Sequence, residues 1–136
     1  MKKIKLDSGL EEVAIGQGIL RFNPKDPNLY VRFQEAVERL QQVEKDLVAQ
    51  APEDGSAAVQ LLKKADEKMK EILDWVFGTG NDFNEILGGV NLLAVAKNGE
   101  RVVTNLFAAL EPVLLEGAKA CVEDQVAAAK NRKGIQ

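Results

Sequence analysis

Residue types that commonly carry chemistry are thinly spread in this chain. It has no histidine, which removes the usual general base, the commonest metal ligand and the catalytic partner of Ser or Cys nucleophiles. The two serines, Ser8 and Ser56, both stand in turn sequences, where capping or turn hydrogen bonds account for them. Cys121 is the sole cysteine, so neither an intrachain disulfide nor a thiolate metal cluster can form within one chain. It falls on the apolar stripe of a predicted helix, where cysteine behaves as a small hydrophobe.

Glycine loops and carboxylates are the remaining candidates. Gly16-Gln17-Gly18 and Gly78-Thr79-Gly80 are glycine-rich, but neither continues into a dinucleotide fingerprint or a P-loop lysine, and the second follows a helix. Turn chemistry is the better reading of both. Two facing carboxylates would suit a hydrolase or an oxygen-ligand metal site. The pairs Glu11-Glu12, Glu53-Asp54 and Glu123-Asp124 are adjacent in sequence, so they do not share a helical face, and none has the alternation of a calcium loop. The sequence therefore predicts no catalytic residue, no cofactor and no metal site.

The elements that would position any site begin with extended chain. Ile4 and Leu6 alternate, Asp7-Ser8-Gly9 reads as a turn, Leu10, Val13 and Ile15 form a second apolar series, and Gly16-Gln17-Gly18 turns before Ile19–Phe22. Three short strands joined by glycine turns predict an antiparallel β-meander that needs a helix on one face. A structural joint follows, made of Phe22, Asn23, Pro24, Asp26, Pro27 and Phe33. Asp26 can accept a backbone N–H bond as a helix cap, and Pro27 loses nothing at the first helical position.

Helical periodicity then takes over. Leu29, Phe33, Val37, Leu40 and Leu47, widened by Ala36 and Val43, predict a helix over Pro27–Gln50. Pro52-Glu53-Asp54-Gly55 breaks it, and Ser56 or Asp54 restarts a second helix that stops at Gly78-Thr79-Gly80. Its apolar face is Ala58, Leu62, Ala65, Met69, Ile72 and Val76, with Asp66 and Lys70 paired on another side. A short helix is expected at Asp82–Leu87. The last helix starts after Asn98-Gly99 and runs to about Lys130, with a kink or break expected at Pro112. The fold class is α+β, a small N-terminal β-meander followed by a bundle of three long helices and one short one. One domain spans 1–136, with the meander in 1–22 and the helical part in 27–132.

Several apolar residues lie off these stripes. Trp75, Phe77, Phe83, Leu92 and Leu93 are expected to lie near one another and to contribute to partner capture as a hot spot; sealing the end of the bundle is the competing role. A net charge of −3 and a pI near 5.1 argue against a nucleic-acid binder. The opening MKKIKLDSGLEEV lacks the apolar core of a signal peptide, and the longest apolar run, Val90–Ala96, is far short of a membrane span. These features predict a soluble protein of a reducing compartment. Both a compact monomer and a homo-oligomer sharing a helical interface are compatible with stripes this broad.

The segment ILRFNPKDPNLYVRF, residues 19–33, resembles the strand–FNP–x–D–helix–RF segment of the small tail assembly chaperones of long, non-contractile-tailed phages and prophages of Gram-positive bacteria. The opening IKLDSG, the aromatics Trp75 and Phe77 ending the second helix, NDFNEILGG, and KNGE before a helix with Leu110-Glu111-Pro112 follow the same order. The Ala-rich end after Gly117, with its basic tip, and the apolar run Val90–Ala96 depart from that pattern. The resemblance implies a non-enzymatic protein of the host bacterial cytoplasm. It would bind the tail tape-measure protein, assist the tail tube protein in assembling around it, and be absent from the mature virion. The alternatives are a permanent minor structural phage protein of the head–tail junction or tail, and a bacterial helical adaptor.

Overall fold

A computed structural model describes residues 1–135; Gln136, the last position of the predicted domain, lies outside them. The fold is α+β. Strands β1 (Glu11–Ile15) and β2 (Gly18–Phe22) form an antiparallel hairpin, followed by helices α1 (Pro27–Gln50), α2 (Gly55–Phe77), α3 (Phe83–Ile86) and α4 (Val102–Ile135). The register pairs Glu11 with Phe22 and Ile15 with Gly18. Gly16 has φ +56° while Gln17 does not enter the left-handed region, the pattern of a hairpin turn with glycine at its first central position.

The sheet has two strands where the alternation of Ile4 and Leu6 predicts a third. Residues 1–10 form neither strand nor bridge. The Asn23 amide donates to the Ser8 carbonyl at 2.9 Å, and a Cβ at Gly9 would crowd the same side chain. The chain is thus held beside the exit of β2 and cannot turn back along β1 at Asp7-Ser8-Gly9.

Local chemistry sets the helix limits. Asp26 caps α1, its carboxylate accepting from the Asn28 N–H at 2.9 Å, with Pro27 in the first turn. Asp54 does the same for α2 through Ser56 N–H, and Gly78 at φ +81° ends it. Asp82 caps α3. The last helix is not broken at Pro112, which lies inside continuous α4. The carbonyl left without a donor there is that of Ala108, on an exposed part of the helix open to solvent.

The helices α1 and α2 run antiparallel. Arg32 near the start of α1 donates to the Val76 carbonyl at the end of α2, at 2.9 Å. Helix α4 is also antiparallel to α1: Arg101, just before α4, pairs with Glu44 at 2.8 Å, and the Phe33 and Phe107 rings lie 4.9 Å apart. The core gathers Leu20 and Phe22 from the hairpin, Leu29, Phe33 and Leu40 from α1, Met69, Leu73 and Val76 from α2, and Val103, Leu106, Leu110 and Leu114 from α4. Among the described residues no helix is long and apolar enough to cross a membrane.

Candidate binding surface

The Phe22–Phe33 joint is more than a corner between strand and helix. Asn23 makes three hydrogen bonds at this corner. Its Oδ1 accepts from the Lys25 N–H at 2.9 Å, its backbone carbonyl accepts from the Asp26 N–H at 3.2 Å, and its Nδ2 holds Ser8. Phe22 and Phe33 are buried on either side. Helix α4 crosses this corner so closely that a Cβ at Gly117 would overlap the Pro24 carbonyl oxygen. Two turns further along α4, Lys25 and Asp124 form an exposed ion pair at 3.5 Å. The N-terminal arm, β2, α1 and α4 therefore meet at Asn23-Pro24-Lys25.

Two segments leave this corner without a partner. Helix α1 starts at Pro27, so α4 outruns it after Gly117 and Asp124. Every residue from Val122 to Arg132 is exposed. The helix nevertheless keeps an apolar row there: Leu115, Ala118, Val122, Val126 and Ala129 recur at steps of three and four, the spacing of one helical face. Leu115 and Ala118 are half-buried, while Val122 and Val126 are 58% and 48% exposed. A helical end of this length has little stability by itself, and such a row ordinarily lies against another element. The second free segment is the arm, whose Ile4, Leu6 and Leu10 are exposed.

The aromatic and aliphatic residues expected to capture a partner are divided by the structure. Phe77, Phe83 and Leu92 come together, but inside: they are 7%, 0% and 0% exposed. The Phe77 ring meets Phe22 at 5.5 Å and Phe83 at 5.3 Å, so these residues seal the core between hairpin, α2 and α3. As direct contacts for a partner they are corrected to core. The reason is that α3 and the following loop wall off the side that α1, α2 and α4 leave open. Leu93 is half-buried against the same cluster. Trp75 alone stays at the surface, 41% exposed, with the Arg39 guanidinium stacked 4.2 Å from its ring centre. That stacking suits a cation–π contact, and Arg39 is held in turn by Glu35 at 2.7 Å.

A polar centre lies where the sequence pattern places a solvated helix face. Asp66 and Lys70 are buried. Lys70 Nζ donates to Asp66 Oδ2 at 2.9 Å, Asn84 Oδ1 at 2.7 Å and the Val90 carbonyl at 2.8 Å. Asp66 Oδ1 accepts from the Leu92 N–H at 2.8 Å. Every proton of the ammonium is thus taken, and the pair fastens the 84–92 segment to α2. The signal in the sequence was slight. Asp66 and Lys70 stand next to Ala65 and Met69 on the apolar stripe, and the segment after Gly88-Gly89 has no periodicity of its own to hold it.

Asp66 and Lys70 border a shallow groove of about 550 Å³ with Glu71, Asp74, Asn84 and Asn91. Asp74 accepts from the Phe83 N–H at 2.8 Å. Burial pushes its carboxyl above the usual value of 3.8, with Asp82 and Glu71 adding repulsion, against the lowering effect of that hydrogen bond and of Lys70. No group of three or more Cys, Asp or Glu side chains among the described residues is arranged to hold a metal ion. Asp66, Lys70, Asp74 and Asn91 of this groove are spent on holding backbone, whereas the apolar groups of the α4 end are unspent. No family model, curated protein or solved structure matches this chain.

Proposed function

We propose that this protein is a non-enzymatic tail assembly chaperone that binds helical segments of a tail tape-measure protein and keeps them apart until tube subunits assemble around them. The observation that carries this reading is the exposed apolar row of α4 past Gly117, Val122 and Val126 above all. A helical end projecting from a packed body, apolar along one side and polar elsewhere, is suited to lie against an amphipathic helix of a long partner. The resemblance of residues 19–33 to the phage chaperones supplies the identity of that partner; the row on α4 supplies the means. On this reading the protein acts in the host cytoplasm and leaves before the particle is finished.

Co-expression with a tail tape-measure protein is the test. Wild type should keep that partner soluble and co-purify with it, while Val122→Asp combined with Val126→Asp should abolish both. Thermal stability of the variant should stay within about 0.5 kcal/mol of wild type, the usual range for surface substitutions. Undiminished capture by the double variant would overturn the role of α4. Stoichiometric recovery of the protein from finished tails would favour a permanent structural component instead.

A further inference from the structure

The edges of the hairpin are unlike. The outer edge of β2 is closed: Asn81 Oδ1 accepts from the Arg21 N–H at 2.9 Å and Asn81 Nδ2 donates to the Arg21 carbonyl at 2.8 Å, as a neighbouring strand would. Further along, Gly18 approaches Ile86 so closely that a Cβ would overlap its carbonyl. The outer edge of β1 has no such cover. A two-residue loop closing Ile15 on Gly18 makes Ile15–Gly18, Val13–Leu20 and Glu11–Phe22 the mutually bonded pairs. The N–H and C=O groups of Glu12 and Ala14 therefore point away from β2, and nothing among the described residues bonds them. An open edge of this kind is a template for another strand.

The chain also carries an unused strand. Ile4 and Leu6 are 86% and 84% exposed, alternate with Lys3 and Lys5, and belong to an arm whose one hydrogen bond beyond itself, among the described residues, is that of Ser8 with Asn23. We propose that the arm of one copy adds as an antiparallel strand to the outer edge of β1 in a second copy, so that the three-stranded sheet is completed between chains.

Period and charge both fit this pairing. With Lys5 opposite Glu12 and Lys3 opposite Ala14, the outward backbone groups of β1 are satisfied. Ile4 then falls beside Val13 on the face turned to the core, where Val13 and Ile15 are only half-buried. On the opposite face Lys5 meets Glu12 directly and Lys3 lies diagonal to it, and opposite charges across strands are favourable. The arm does not serve its own edge because Asn23 holds Ser8 beside the end of β2, directing residues 1–7 past the hairpin. A second copy supplies one edge for each arm. This surface is separate from the α4 row, so the two proposals fail independently.

Light scattering on the full chain tests the pairing. Wild type should show a mass at least twice that of the 14.9 kDa chain. Two changes should each return it to single-chain mass with an unchanged circular dichroism spectrum. Ala14→Pro removes an N–H that the hairpin does not use, and Ile4→Asp with Leu6→Asp alters only exposed side chains, keeping the test valid even where the proline variant folds poorly. A single-chain mass for wild type, or an oligomer that survives the arm variant, would overturn the proposal. Zero-length crosslinking of co-refolded isotope-labelled and unlabelled copies should join Lys3 or Lys5 to Glu12 in mixed pairs. Links confined to one isotope would place the arm on its own edge and overturn it equally.

Discussion

Lys70 and Asn23 do the same job in opposite surroundings. Each is one side chain whose hydrogen bonds tie together segments distant in sequence: Lys70 joins α2 to the 84–92 segment, and Asn23 joins the N-terminal arm to the start of α1. Lys70 is 4% exposed, whereas the bonds of Asn23 lie at the surface. A buried charge without its partners is costly, because water cannot replace them. An exposed amide loses little, because water can. The side of the molecule around Lys70 is therefore fixed and closed, and the side around Asn23 is where free segments depart. Interaction surfaces belong on the second side.

Removing Lys70 should give the largest effect. Lys70→Met keeps the length of the side chain but leaves the Asp66 carboxylate buried and uncompensated, which costs about 3–5 kcal/mol in comparable sites. Chemical denaturation should show that loss. Amide exchange at Leu92, whose N–H is held by Asp66, should accelerate beyond what global unfolding explains. Asn23→Ala should cost less than Lys70→Met. A cost for Lys70→Met below about 1 kcal/mol, the range of exposed ion pairs, would erase the contrast between the two anchors.

Gly117→Ala sharpens the open side. In an isolated helix alanine is favoured over glycine by about 1 kcal/mol, so propensity alone predicts stabilisation. Here the new Cβ meets the Pro24 carbonyl, a backbone atom that no rotamer change can move. Helix α4 would have to slide away from the joint, and overpacking of this kind costs about 1–3 kcal/mol. A lowered melting temperature is the expected outcome. A raised one would mean that α4 does not depend on the corner for its position.

The same contrast explains what the sequence made legible. Both ends of α1 could be read, because Asp26-Pro27 and the turn at Pro52 act within a few residues. The limits of α2 rest likewise on Asp54 and Gly78. The missing third strand could not be read that way. Ile4 and Leu6 have the right period, but the path of the arm is set by Asn23, fifteen residues from Ser8. Asp66 and Lys70 have the spacing of a surface ion pair, and only the closure of the 84–92 segment buries them. Phe77, Phe83 and Leu92 sit off the helical stripes because their wall of the core is built by α3 and a loop without periodicity. On α4 the apolar row runs unbroken past Gly117, so nothing in it marks where α1 stops covering it.

The smallest effect is expected at Asp74, on the rim of the closed side. Its carboxyl titrates above the ordinary 3.8, chiefly through burial. Between 3.8 and that raised value the folded protein binds more protons than the unfolded chain, so this group adds stability as pH falls through the window and subtracts it above. Asp74→Asn removes the ionisation while its Oδ1 can still accept from the Phe83 N–H. The variant should therefore match or slightly exceed wild type at neutral pH, and its advantage should shrink as pH is lowered toward 3.8. The difference will be small, because Asp74 is only partly buried and solvent screens its neighbours. Denaturation curves across the acidic range would show it. A variant that loses stability at neutral pH would mean that the carboxylate's bond to α3 outweighs its desolvation, and the rim would then belong to the same rigid knot as Lys70.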